Sequence, residues 1–145
     1  MLGGELPSST SPGLPMVSEL VRRASVTGLA VSCRFLASCD RLAPAASQAA
    51  YRVVQEALTN ALKHAPGAPV DITIRGRDGE VQVDIVNAPS QQAPSGLGRS
   101  GGGFGLAGMR ERVAACGGSL TSGPTPAGGW QVSALLPADP AFPAL

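Results

Sequence analysis

The sequence predicts an α/β domain of interleaved helices and strands, and three features carry that expectation. Tyr51–Ala65, YRVVQEALTNALKHA, reads as a long helix with a broad apolar face. VDITIRG and EVQVDIVNA alternate with period two on either side of Arg77-Asp78-Gly79, which predicts a hairpin. A second amphipathic helix over Phe104–Cys116 runs into Gly117-Gly118 and is followed by strands near 119–122 and 130–136.

Taken in chain order, residues 1–15, MLGGELPSSTSPGLP, are rich in Gly, Pro and Ser and lack the basic start and apolar centre of a signal peptide, so they read as flexible linker. PMVSELVRRA then shows helical spacing through Met16, Val17, Leu20 and Val21. Gly28 stops that helix, and LAVSCRFL reads as a strand with Leu29, Val31, Cys33 and Phe35 on one side. Asp40–Pro44 is loop, Ser47 is the expected cap of the long helix, and Pro66-Gly67 close it. In the hairpin, Val70, Ile72 and Ile74 face inward, as do Val81, Val83 and Ile85. Residues 88–103 carry no apolar periodicity and form a long loop, the natural place for a lid. The domain is expected over 16–138, with 139–145 as a C-terminal tail.

Composition excludes several classes. At 145 residues and 43% hydrophobic content, with no apolar run of about 18 residues, the chain reads as one soluble domain rather than a membrane protein. A net charge of +1 and only 14% charged residues leave no basic patch for nucleic acid or an anionic membrane. Cys33, Cys39 and Cys116 lack a metal-ligand spacing and read as reduced packing residues.

The long helix carries the chemistry. Ala50, Val53, Val54, Ala57, Leu58, Ala61, Leu62 and Ala65 share a face that must be buried, while Arg52, Glu56, Asn60 and Lys63/His64 recur at steps of three or four on another. Most such stripes simply meet water. This one is narrow and flanked by Ala, Leu and Val, so Glu56 and Asn60 should be partly enclosed, where an unpaired polar group is costly. A carboxylate, an amide oxygen and an ammonium along one line offer a general base, a ligand for a hard cation such as magnesium, and a phosphate contact. Together they suit a magnesium nucleotide.

Two further signals are weaker. Asn87 lies two residues beyond Ile85 on the inward parity of its strand, where its amide could read a base edge, although Asn before Ala-Pro is also an ordinary turn initiator. Gly103-Phe104-Gly105-Leu106-Ala107-Gly108 matches GxGxxG literally. The dinucleotide fingerprint needs a strand before it and an acidic residue about 20 positions on, and no Asp or Glu occurs between Glu111 and Asp139. What remains is bare backbone N–H at a helix start, where a phosphate could dock at Gly103 and Gly105.

These motifs, VVQEALTNALKHA, the hairpin, the Gly-rich segment, GGGFGLAGMRERVAACGGSL and GGWQVSALLP, resemble the ATP-binding catalytic domain of bacterial sensor histidine kinases over about residues 46–137. The branch paired with LuxR-type response regulators is the nearest in pattern. The resemblance implies the Bergerat-type fold of the superfamily shared with gyrase and a heat-shock chaperone: a two-layer α/β sandwich in which a mixed, mostly antiparallel sheet packs on about three helices. It implies ATP and Mg2+ as ligands, with Glu56, Asn60, Lys63 and His64 as the N box. Asn60 would hold magnesium, Glu56 would orient or deprotonate the reacting group, and Lys63 and His64 would lie near the phosphates. Gly103, Gly105 and Leu106 match the glycine box, and Asn87 takes the adenine-reading place.

Two departures stand out. Where the family has the aspartate of a DxGxG box, this chain has Asn87, and Pro89 replaces the first glycine; a neutral acceptor predicts weaker ATP binding. Trp130 falls where many members carry a threonine behind that aspartate, either altering the purine pocket, sitting on the surface or packing into the core. The single histidine, His64, belongs to the site, so autophosphorylation is not expected within this chain. The phosphoacceptor would lie on the dimerisation domain of a longer sensor, cytoplasmic in this part and anchored or not in the cell membrane. Other expectations are an anti-sigma-type serine kinase, against which GMRERV and the following GG weigh, and a degenerate nucleotide sensor acting by contact.

Overall fold

In the computed structural model, residues 13–36, 42–65, 67–77, 79–89 and 107–138 are described. A 3-10 turn, Leu14–Met16, leads into α1, Val17–Val26, and then β1, Val31–Leu36. Helix α2 spans Pro44–His64, and the hairpin strands are β2, Val70–Arg77, and β3, Glu80–Asn87. Helix α3 is seen over 107–115, followed by β4, Ser119–Pro124, and β5, Trp130–Pro137.

The five strands form one sheet in the order β1-β2-β3-β5-β4. Only the β1–β2 pair is parallel, and α2 is its crossover, as a parallel pair requires. The β2–β3 hairpin turns between the partners Arg77 and Glu80, with Gly79 at φ 77°, a backbone geometry that a side chain would strain. Strand β5 slots between β3 and β4, antiparallel to both. This is the mixed, mostly antiparallel α/β sheet with three helices that the sequence predicts.

One face of the sheet makes the core. Val70, Ile72, Ile74, Val81, Val83, Ile85, Val132, Ala134 and Leu136 alternate inward and are buried, while Asp71 and Arg75 on the opposite parity are exposed. Ala49, Ala50, Val53, Val54, Ala57, Leu58 and Ala61 of α2 and Met109 and Val113 of α3 join them in a single cluster. Each fully buried Val or Ile contributes about 1.5–3 kcal/mol, so this layer outweighs anything the surface ion pairs supply.

Two sequence readings of α2 change. Ser47 does not cap it: the helix starts at Pro44, whose fixed φ suits the first helical position, after Ala43. The Ser47 hydroxyl instead accepts a hydrogen bond from the Leu14 amide at 2.7 Å, tying the N-terminal turn to the helix. Leu62, placed inward by periodicity, is 45% exposed because it stands on the flank of the packed face, about 40° round the helix from Leu58. Cys33 and Cys116 are half-buried, and Cys39 lies outside the described residues.

Candidate functional site

The polar stripe of α2 forms as its spacing requires. Glu56 and Asn60 are half-buried, Arg52 and Lys63 are exposed, and His64 is half-buried. Four residues on an α-helix rise about 6 Å, so Glu56, Asn60 and His64 stand one above another at successive turns. The His64 Nε2 is buried and has no hydrogen-bond partner among the described residues. An orphaned buried nitrogen is expensive in a finished core and useful where a ligand completes the bonding. Lys63 and His64 also occupy the last turn, where positive charge offsets the C-terminal end of the helix dipole.

The chain needs only residues 65–69 to pass from α2 to β2, so the last turn of α2 lies at the end of the sheet where β2 begins. Asn87, the last residue of β3, pairs with Val70 on one side and with Trp130 on the other. Its backbone is held there. The Ala88 amide donates to the Pro69 carbonyl at 2.9 Å, and Gly129 sits so close that a Cβ on it would lie 2.0 Å from the Asn87 carbonyl oxygen. Asn87 is half-buried, and Trp130, on the same inward parity as Val132, Ala134 and Leu136, remains 40% exposed.

The structure therefore brings Lys63, His64 and Asn87 to one end of the domain, with Asn60 and Glu56 following along α2. Gly103, Gly105 and Leu106 lie outside the described residues. The sequence singles out Trp130 as a departure without assigning it to the site; cross-strand register makes it the neighbour of Asn87. Its inward parity is readable in the sequence, because counting back by twos from Leu136 through Ala134 and Val132 reaches Trp130, but its pairing with Asn87 is not.

Among the described residues no group of three or more His, Cys, Asp or Glu could hold a metal ion. Asn60 could offer its amide oxygen to a magnesium ion carried in by a nucleotide, an ion that keeps much of its own hydration.

Comparison with known proteins supplies the class. Residues 45–140 match the model of the histidine kinase-, DNA gyrase B-, and HSP90-like ATPase family, and the chain belongs to that family. It is homologous to sensor histidine kinases. It is 35% identical over 94 residues to the sensor histidine kinase YxjM of Bacillus subtilis, covering 65% of this chain and 22% of that protein. It is 41% identical over 87 residues to UhpB, a signal transduction histidine-protein kinase/phosphatase of Salmonella typhimurium, covering 60% of this chain and 16% of UhpB. The chain thus spans about a fifth of the length of these relatives.

Solved structures agree on the fold. The catalytic domain of histidine kinase ThkA superposes with a TM-score of 0.59 at 17% identity, covering 86% of this chain and 94% of that one. The EL346 blue-light activated histidine kinase of Erythrobacter litoralis gives 0.64 at 17%, covering 88% of this chain and 42% of that one.

Proposed function

We propose that this chain is the Mg-ATP-binding catalytic unit of a two-component sensor histidine kinase, transferring the γ-phosphoryl group to a histidine on a dimerisation domain outside the sequence. The bound nucleotide supplies the transferable phosphoryl group, and its magnesium neutralises charge on the phosphates. Asn60 donates an oxygen ligand to that metal, while Lys63 and His64 offer N–H donors to the phosphate oxygens. Glu56, half-buried one turn before Asn60, orients the incoming imidazole or takes its proton. The chain contributes positioning above all.

The observation that carries this reading is the buried His64 Nε2, without a partner among the described residues, on the same helix line as half-buried Asn60 and Glu56, in a chain of the ATPase family. In this proposal the domain works in the cytoplasm, with its own phosphoacceptor domain as first partner and a LuxR-type response regulator as second. No helix among the described residues is long and apolar enough to cross a membrane. Calorimetry on the folded chain should show binding of Mg-ATP that EDTA greatly weakens. Titration without heat would favour the second reading, a regulatory module acting by contact, for which Asn87 in place of an acidic base reader already argues.

A further inference from the structure

Resting on that nucleotide-site reading, we propose that the end of the sheet formed by Asn87 and Trp130 is an amide–indole base subsite that takes adenine and guanine nucleotides alike. Register, charge and hydrogen-bonding chemistry support it together. The row of partners across this end of the sheet runs Val31, Val70, Asn87, Trp130, Pro124, one residue from each strand. None of the five is ionisable. Trp130 stands directly beside Asn87 on the helix-covered side and keeps 40% of its surface accessible.

The side chain at 87 decides what the edge of a purine meets. A carboxylate only accepts hydrogen bonds, so it pairs with the 6-amino group of adenine and repels the 6-oxo group of guanine. That repulsion, more than the attraction, makes an acidic reader selective. A carboxamide carries both a carbonyl and an NH2 group, and a half-turn about its last torsion exchanges them. Asn87 can accept from the amino group of adenine or donate to the oxo group of guanine. With its backbone held between Val70 and Trp130, and by Gly129 against its carbonyl, the amide can make this exchange without moving the strand.

Trp130 adds affinity without adding choice. Stacking on an aromatic face is tolerant of base identity because every base has a π-face. The two residues thus have separable roles: Asn87 sets the ratio between purines, and Trp130 sets the common affinity.

Trp130 is the sole tryptophan of the chain, so its fluorescence reports on this end of the domain. Calorimetry and Trp130 quenching, run on the full chain with Mg-ATP and Mg-GTP, should give dissociation constants within about fivefold of each other, the spread of one neutral hydrogen bond. Asn87→Asp should tighten Mg-ATP by about threefold to tenfold and weaken Mg-GTP by about tenfold or more, as expected for a charged acceptor. Trp130→Ala should weaken both by a similar factor, about fivefold to tenfold, and leave their ratio unchanged. Wild-type protein that binds Mg-ATP and refuses Mg-GTP overturns the base-subsite proposal and leaves the kinase reading standing, as does an Asn87→Asp variant with an unchanged ratio. Folded protein that binds neither nucleotide overturns both.

Discussion

The α2 stripe and the Asn87–Trp130 end of the sheet make two halves of one proposed site by different means. Glu56, Asn60, Lys63 and His64 are ordered by a single helix, so their relative positions follow from the rise and twist of that helix. Asn87 and Trp130 come from separate strands and meet only because β5 pairs with β3 rather than with β2. By the resemblance read from the sequence, the helical half matches the family's N box and the sheet half departs from its DxGxG pattern. Local order is hard to vary residue by residue without losing the line of donors, whereas a cross-strand pair can exchange both members while the ladder beneath stays intact.

The largest expected effect falls on the helical half. Asn60→Ala removes the amide oxygen proposed to hold magnesium and should cost about 100-fold or more in Mg-dependent nucleotide affinity, in the range of losing a charge-assisted contact. Because Asn60 is half-buried and outside the apolar cluster, the melting temperature of the nucleotide-free domain should hold within about 2 °C. Calorimetry beside a thermal melt checks both. An unchanged affinity removes the metal assignment.

The next effect tests whether the sheet half is a separate unit. Two glycines approach the backbone equally closely: a Cβ on Gly129 would lie 2.0 Å from the Asn87 carbonyl, and one on Gly118 would lie 2.1 Å from the Leu135 carbonyl. Either substitution to Ala forces backbone movement, and each should destabilise by about 1–3 kcal/mol, the range of overpacking changes. Only Gly129→Ala disturbs the Asn87–Trp130 pair, so only it should alter Trp130 fluorescence and purine affinity. Equal nucleotide losses in the two variants would mean that the site responds to global stability rather than to this row.

How far the sequence is legible divides along the same line. The hairpin is readable from alternation and the Arg77-Asp78-Gly79 turn signal, and nearly all of the inward face of α2 from its 3.6-residue period, because both are local. Leu62 escapes because period alone does not say how wide the covered stripe is. Ser47 escapes because a good capping residue is also a good acceptor for any amide brought near, and Leu14 arrives from the distant N-terminal turn. The parallel β1–β2 pair and the insertion of β5 beside β3 are decided by long-range packing that no local pattern encodes. For the site, the donors along α2 are legible and the neighbour of Asn87 is not, since register, unlike period, depends on two strands at once.

A smaller effect is expected at Lys63. Its exposed ammonium gives a screened attraction to phosphate, so Lys63→Ala should weaken Mg-ATP by about threefold to tenfold at low salt and by less at high salt. Titrations at two ionic strengths measure this. A loss independent of salt would assign Lys63 to packing.

The smallest effect belongs to α1, outside both halves, and sets the floor for the comparison. Glu19 accepts a hydrogen bond from Arg22 and lies 3.8 Å from Arg23, and the Arg22 hydrogen bond holds its carboxyl below the usual carboxylate range. A lowered acid contributes stability above its unfolded value and loses it as pH falls through the lowered folded value, so any contribution is complete at neutral pH and disappears only in acid. The pair lies at the surface, where water and salt screen it and two long side chains must be ordered to form it. Glu19→Gln should therefore move the neutral-pH melting temperature by no more than about 1 °C and leave nucleotide binding unaltered. A larger drop at neutral pH that persists in high salt would show α1 to be coupled to the core through Glu19, and the Asn60 and Gly129 effects would then have to be compared against that coupling rather than against an inert surface.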